Sequence, residues 1–306
     1  MALAIDPTAE TTADVFSAGH APVATIEPGE RLTVGSLDAS GYLERQRHPG
    51  EEQPRLHPSG RGHCLTGPIA VRGARPGQLL ALRLHALRPG PWGWTVAAAL
   101  DTPITRRLGI ADGPPSWLLW ELDPDAGTGR ESRGFVRHLA PFLGVMGVAP
   151  AAAGEHSTIP PRAGSGGNID CRELMAGSTL YLPVAVPDAL LYLGDGHAAQ
   201  GDGEVGGTAI ECAMTTELTV DLVEDPPLTS IHAETPAGLI TFGFDADLNA
   251  ATGDALDAMV TWMQSRYDVD RATALALAST AVDLRVTQVA NRTWGVHAVL
   301  PTGALS

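Results

Sequence analysis

Apolar and polar positions alternate along much of this chain. In QLLALRL, residues 78–84, the leucines Leu80, Leu82 and Leu84 fall on one face, and in TELTVDLV, residues 216–223, Leu218, Val220 and Leu222 do the same. A period of two marks half-buried strands. Late in the chain the period changes. Across TGDALDAMVTWMQSRYD, residues 252–268, Leu256, Met259, Val260 and Met263 recur at three-four spacing, which predicts a helix with Thr252 and Asp254 placed to cap its start. The alanine-rich VDRATALALASTA, residues 269–281, predicts a second helix, and VDLRVTQV returns to alternation at Val282, Leu284 and Val286. The 35 glycines and 24 prolines are spread throughout, favouring strands joined by turns over long helices. Residues 149–168 have no apolar period and predict a long loop, a length that is uncommon unless functional or disordered. The reading is a mainly β chain: residues 1–150, a central β region 151–225 carrying the motif described below, and a smaller α/β part, 226–306.

Composition removes whole classes of function. A formal net charge of -15 argues against nucleic acid or an anionic membrane surface as partner, because clustered cations bind both. No apolar run approaches the roughly 20 residues that span a bilayer, and the acidic start lacks the basic and apolar regions of a secretory peptide. The expectation is a cytoplasmic protein. Cys64, Cys171 and Cys212 are too few and too scattered for a disulfide framework or a Cys-x-x-Cys zinc site. All 20 basic residues are arginine, so catalysis through lysine is excluded, including Schiff-base chemistry and Walker phosphate loops.

The densest polar stretch is GDGHAAQGDGE, residues 194–204. In an extended segment residues two apart share a face, so Asp195 and His197 converge, and both types ligate zinc or a similar divalent ion. Asp170, after two glycines in GGNIDCRE, is the preferred third ligand, and His63 the next. The commoner fate of a histidine in a glycine-rich turn is a solvated or hydrogen-bonded turn residue, and acids beside such glycines are usually turn formers. Glu204 lies across a tight turn from His197 and is the candidate proton shuttle, with Asp202 and Glu211 as rivals and Gln200 as a further catalytic candidate. An all-oxygen set of Asp170, Asp195, Asp202 and Glu204 suits calcium in a non-catalytic binding module, whereas His197 among the ligands suits zinc. The other eight histidines, His297 among them, have no comparable company and read as surface or core residues. The three cysteines read as core packing, since carboxylate neighbours make Cys171 and Cys212 poorer nucleophiles.

The stretch GSGGNIDCRELMAGSTLYLPVAVPDALLYLGDGHAAQGDGEVGGTAIE resembles the central signature of the acetamidase/formamidase family. HCLTGPIAVRGARPGQLLAL is similar to its N-terminal segment, with Cys64 where proline is usual, and APFLGVMGVAP and AVDLRVTQV resemble further blocks. The resemblance implies hydrolysis of small linear amides with release of ammonia, relatives acting on lactams, a divalent metal, a homo-oligomer of two or more subunits, and a jelly-roll-like or β-barrel N-terminal and central part. Carried over by position, Asp170, Asp195 and His197 fall on polar residues of the central motif, and His63 on the histidine of the N-terminal segment. Asn168 is a substrate-binding candidate beside them. The tryptophan-bearing region 91–123 has no counterpart in the resemblance, making Trp92, Trp94, Trp117 and Trp120 candidates for substrate selection, although such tryptophans are more often core or interface residues. An amidase without lysine excludes the amidase-signature and nitrilase routes and leaves metal-assisted attack by water.

Overall fold

The computed structural model describes residues 3–98 and 101–305. Among the described residues eighteen strands form one hydrogen-bonded network, and a separate pair joins Val15–Phe16 to His156–Ser157. The mainly β expectation is met, but the barrel is not, because the network stays open. The reason lies in strands that share their edges. Leu79–Ala97 lies along Glu211–Val223 on one edge, while its other edge is divided between Thr179–Pro183 and Ser116–Asp123. A strand that trades partners along its length branches a sheet instead of closing it. The ladder breaks near Pro89, Gly90 and Pro91, where proline cannot donate and the register slips opposite, between Cys212 and Met214.

The predicted strand faces are buried where the alternation placed them: Leu80, Leu82, Leu84, Leu218 and Val220 have no exposed surface and join one large apolar cluster. The last alternating segment behaves differently. Asp283–Gln288 pairs only with Trp294–Pro301 among the described strands, and it turns Leu284 and Val286 outward while Arg285 reaches inward to Glu173. Alternation fixed the spacing there, but a half-buried ion pair fixed the face.

Both predicted helices form. The first, Leu248–Tyr267, begins a turn earlier than its predicted caps, because the Asp247 side chain accepts from Asn249 N and Thr252 instead donates to Leu248 O inside the helix. Met259, Val260 and Met263 are buried, as their spacing requires, against Ala274 and Ala278 of Arg271–Ala281 and against Val296, Ala298 and Leu300. Gly243 lets the helix approach its sheet, since a Cβ there would collide with Ala251 O. No helix among the described residues is long and apolar enough to cross a membrane.

Candidate functional site

Three strands bring the polar motif together. Leu191–His197 runs antiparallel to Phe142–Val148, with Phe142 opposite His197 and Val145 opposite Gly194, which sets Gly144 across from Asp195. On its other edge His197 is paired with Glu211, the first residue of Glu211–Val223. The Gly144 carbonyl accepts from the amides of both Ile169 and Asp170, folding the Asp170 turn over the same point. The Glu204 turn closes through Gly201 O, and the amides of Gly203 and Val289 exchange hydrogen bonds with Thr287 O and Gly203 O. Asp170, Asp195, His197, Glu204 and Glu211 thus meet with their side chains buried.

The meeting is closely packed. His197 Nε2 lies 3.4 Å from Asp195 Oδ2 and 3.3 Å from Glu211 Oε2. Donor atoms of Asp170, Asp195 and His197 lie within 4.8 Å of one another, as do those of His197, Glu204 and Glu211. Both Asp170 carboxylate oxygens, Asp195 Oδ1 and Glu211 Oε2 are buried without a hydrogen-bond partner. Such orphaned acceptors are rare, because each forfeits its hydration. Asp170, Asp195 and Glu204 also hold positive φ angles of 53°, 59° and 42°, a region non-glycine residues enter at a cost and keep only when their surroundings demand it.

The electrostatics follow from burial and crowding. Burial raises the Asp170 carboxyl well above its usual range, with Glu204 and Asp195 adding repulsion. Burial likewise pushes Glu204 up to about 8 and Glu211 up to about 7, in both cases against the opposing pull of His197. Burial opposes charge on His197 and Asp195 too, but their mutual attraction, with Glu211 helping the imidazole, raises His197 and depresses Asp195. The Glu204 carboxyl is within reach of Asp170, and two such groups bond only if one keeps its proton. Four carboxylates and one imidazole in an apolar interior require protons or a bound cation.

Gln200 links the two halves of the cluster. Its amide donates to Asp170 O at 2.7 Å, leaving Oε1, 2.9 Å from His197 Nδ1, to accept. His197 therefore carries its Nδ1 proton toward Gln200 and turns Nε2 to the carboxylates. The Phe142 ring stands edge-on to the imidazole at 5.0 Å. Gly144 completes the packing: a Cβ there would lie 2.6 Å from Asp170 Oδ1 and 2.8 Å from His197 Cε1, and closer still to Asp195 Oδ2.

Other residues singled out by sequence stand apart. His63 is near enough for its charge to bear on Asp195, but its Nδ1 is 2.9 Å from Thr158 Oγ1 and it is not among the grouped donors. Asp202 points out of the cluster to Arg172 at 3.1 Å, because the turn carrying Glu204 inward sends Asp202 to the other side. Asn168, on Gly166–Asn168, donates to Ile159 O at 3.0 Å and keeps a buried, unpartnered Oδ1. Trp120, with Trp92 and Trp94, lines a cavity of about 350 Å³ that none of the five clustered residues touches, and Trp117 packs on Trp94. His297, read from sequence as without company, is instead 3.5 Å from Glu173. Gly144 is a site residue that side-chain chemistry does not nominate, since FLGVMGV reads as an apolar strand; its two glycines and the resemblance of APFLGVMGVAP to a family block are the signals there.

A family model for the acetamidase/formamidase family matches residues 14–156 and 151–303. The chain belongs to the acetamidase/formamidase family. It is 46% identical over 262 residues to a formamidase of Methylophilus methylotrophus, covering 66% of this chain and 62% of that protein. The chain spans less than two thirds of the length of the curated relatives it matches. Against solved structures the likeness runs end to end: an acetamidase from Bacillus halodurans superposes with a TM-score of 0.86 at 28% identity over 97% of both chains. A gamma lactamase from Delftia acidovorans, at 20% identity and a TM-score of 0.64 over 97% of this chain and 90% of its own, shares the fold alone.

Proposed function

We propose that this chain hydrolyses the C–N bond of small linear amides of the formamide and acetamide kind, releasing ammonia and a carboxylate. Family membership and the names of its relatives support the reaction class. The observation that carries the reading is the buried group of Asp170, Asp195, His197, Glu204 and Glu211, with four carboxylate oxygens left unpartnered.

The donor set fits a divalent metal. Asp170, Asp195 and the Nε2 of His197 would hold it, with Glu211 Oε2 3.3 Å from the same nitrogen. Mixed nitrogen and oxygen donors favour zinc over calcium, which prefers oxygen alone. A bound zinc ion would supply Lewis acidity at the amide carbonyl and lower the pKa of water toward about 7. The remaining work falls to this chain's own groups. Glu204, whose proton affinity burial raises, would as the carboxylate favoured beside a bound cation take a proton from attacking water and return it to the departing amine. Gln200 holds His197 in one tautomer and orientation. The three cysteines offer no competing route: all are buried and burial raises their thiols, Cys64 to about 12.

The test is ammonia release from formamide, acetamide, longer aliphatic amides and a lactam, before and after chelation and after zinc return. Activity that vanishes with the metal and returns with it is expected, with Glu204→Gln retaining metal while turnover falls by roughly a hundredfold or more. Metal-loaded protein that releases ammonia from none of these amides would overturn the reading. Preference for the lactam would move the substrate class and leave the acid–base assignment standing.

A further inference from the structure

A second buried group lies behind the Asp170 turn and shares no donor with the first. Cys171 Sγ donates to Glu173 Oε2 at 3.3 Å, and His297 Nε2 lies 3.5 Å from the same oxygen. The three donor atoms are mutually within 4.8 Å, and Cys171 and His297 have no exposed surface. His297 Nδ1 is occupied by Thr287 Oγ1 at 2.8 Å, so Nε2 is the ring atom aimed at the group, and it is buried with no hydrogen-bond partner. Glu173 is oriented the same way. Its Oε1 is held by Arg285 at 2.8 Å and Arg172 at 3.4 Å, which leaves Oε2 facing the thiol and the imidazole.

We propose that Cys171, Glu173 and His297 form a second divalent-cation site, of zinc-like preference, that ties the Asp170 turn to the last strand, Trp294–Pro301. The two spacings to Glu173 Oε2, 3.3 Å from the thiol and 3.5 Å from the imidazole, match the ion. Neighbouring ligands on tetrahedral zinc, with bonds of about 2.3 Å to sulfur and 2.0 Å to nitrogen or oxygen, lie about 3.3 to 3.5 Å apart. Thiolate and imidazole together select a softer metal than calcium or magnesium. Two anionic ligands would neutralise a dication, while Asp202 and Asp283 face the guanidiniums of Arg172 and Arg285. The second sphere is already in place: Thr287 fixes the ring of His297, and two arginines fix the carboxylate. Binding through the thiolate would release the Cys171 proton that Glu173 now accepts as a hydrogen bond.

Cobalt(II) titration of the metal-stripped full-length chain tests this without any assay of amide hydrolysis. Cobalt bound through a thiolate gives a near-ultraviolet charge-transfer band, and the Asp170–Asp195–His197–Glu204–Glu211 group contains no sulfur. The expected result is two equivalents of cobalt per chain and one thiolate band. Cys171→Ser should remove the band and one equivalent, while Cys212→Ser keeps both. His297→Gln, which retains the thiol, should weaken the band-forming equivalent at least tenfold and leave the other unchanged. Uptake without a thiolate band, or a band that survives Cys171→Ser, would overturn the site. Should Cys171→Ser fail to fold, the wild-type band and its response to His297→Gln decide alone. Loss of the amidase reading would leave this result standing.

Discussion

Gly144→Ala isolates the packing of the acid cluster from every other effect. No positive φ holds Gly144, so alanine meets no backbone penalty and the whole consequence is steric. Moving Asp170 Oδ1 from 2.6 Å to ordinary contact at 3.4 Å demands a displacement of about 0.8 Å, and Asp195 must move further. Neither has an easy retreat. Both main chains are already at positive φ, and Asp170 is held to the Gly144 carbonyl by its amide and to Gln200 by its own carbonyl. Overpacking of this kind costs about 1 to 3 kcal/mol, which a domain of this size should survive folded. Displacement near 1 Å in a catalytic group costs about a hundredfold in rate, so the loss should fall on turnover and metal content more than on Tm. The assay is ammonia release and zinc content per chain beside a thermal melt. Gly201→Ala, in open space on the loop leading to Glu204, serves as the control and should behave as wild type. Full turnover and full metal content in Gly144→Ala would refute the packing argument.

Two further outcomes follow from the same structure. Gln200→Ala removes the acceptor that fixes His197 and should weaken zinc about 10- to 100-fold in a competition titration; equal affinity would deny Gln200 that role. Asp38 is buried with an unpartnered Oδ2, and burial raises its carboxyl to about 6 despite the bond it accepts from Tyr42 N. Its extra proton affinity supports the fold below about pH 3.8 and is lost as pH rises through about 6, an effect of roughly 3 kcal/mol. Asp38→Asn should therefore gain stability relative to wild type as denaturant melts move from about pH 4 to about pH 7. A difference that does not change with pH would count against it.

What the sequence made legible was local. Asp195, His197, Gln200 and Glu204 fall within eleven residues, so spacing and turn chemistry sufficed to nominate them together, and helical periodicity found both helices. Spatial information was harder. Nothing in FLGVMGV announces that Gly144 touches three charged groups, and nothing near His297 announces Glu173, which lies far away in sequence. Asp202 and Glu204 look equivalent on paper, and only the turn decides that one faces the cluster and the other Arg172. Leu284 and Val286 kept the strand period while the half-buried Arg285 to Glu173 pair chose the face. The expected barrel failed because edge sharing by Leu79–Ala97 is a property of pairing, which alternation within one strand does not encode.

The five clustered donors all come from one stretch of chain, Asp170 through Glu211, whereas Gly144 stands outside it. For recombination between family members, that stretch behaves as a transferable cassette whose acceptance is decided elsewhere. A host frame with any side chain at the position of Gly144 would receive every ligand and still reject the assembled centre. Chimeras across this fold thus face a compatibility gate of a single missing methyl group, and crossover points that carry residue 144 along with the cassette pass through it.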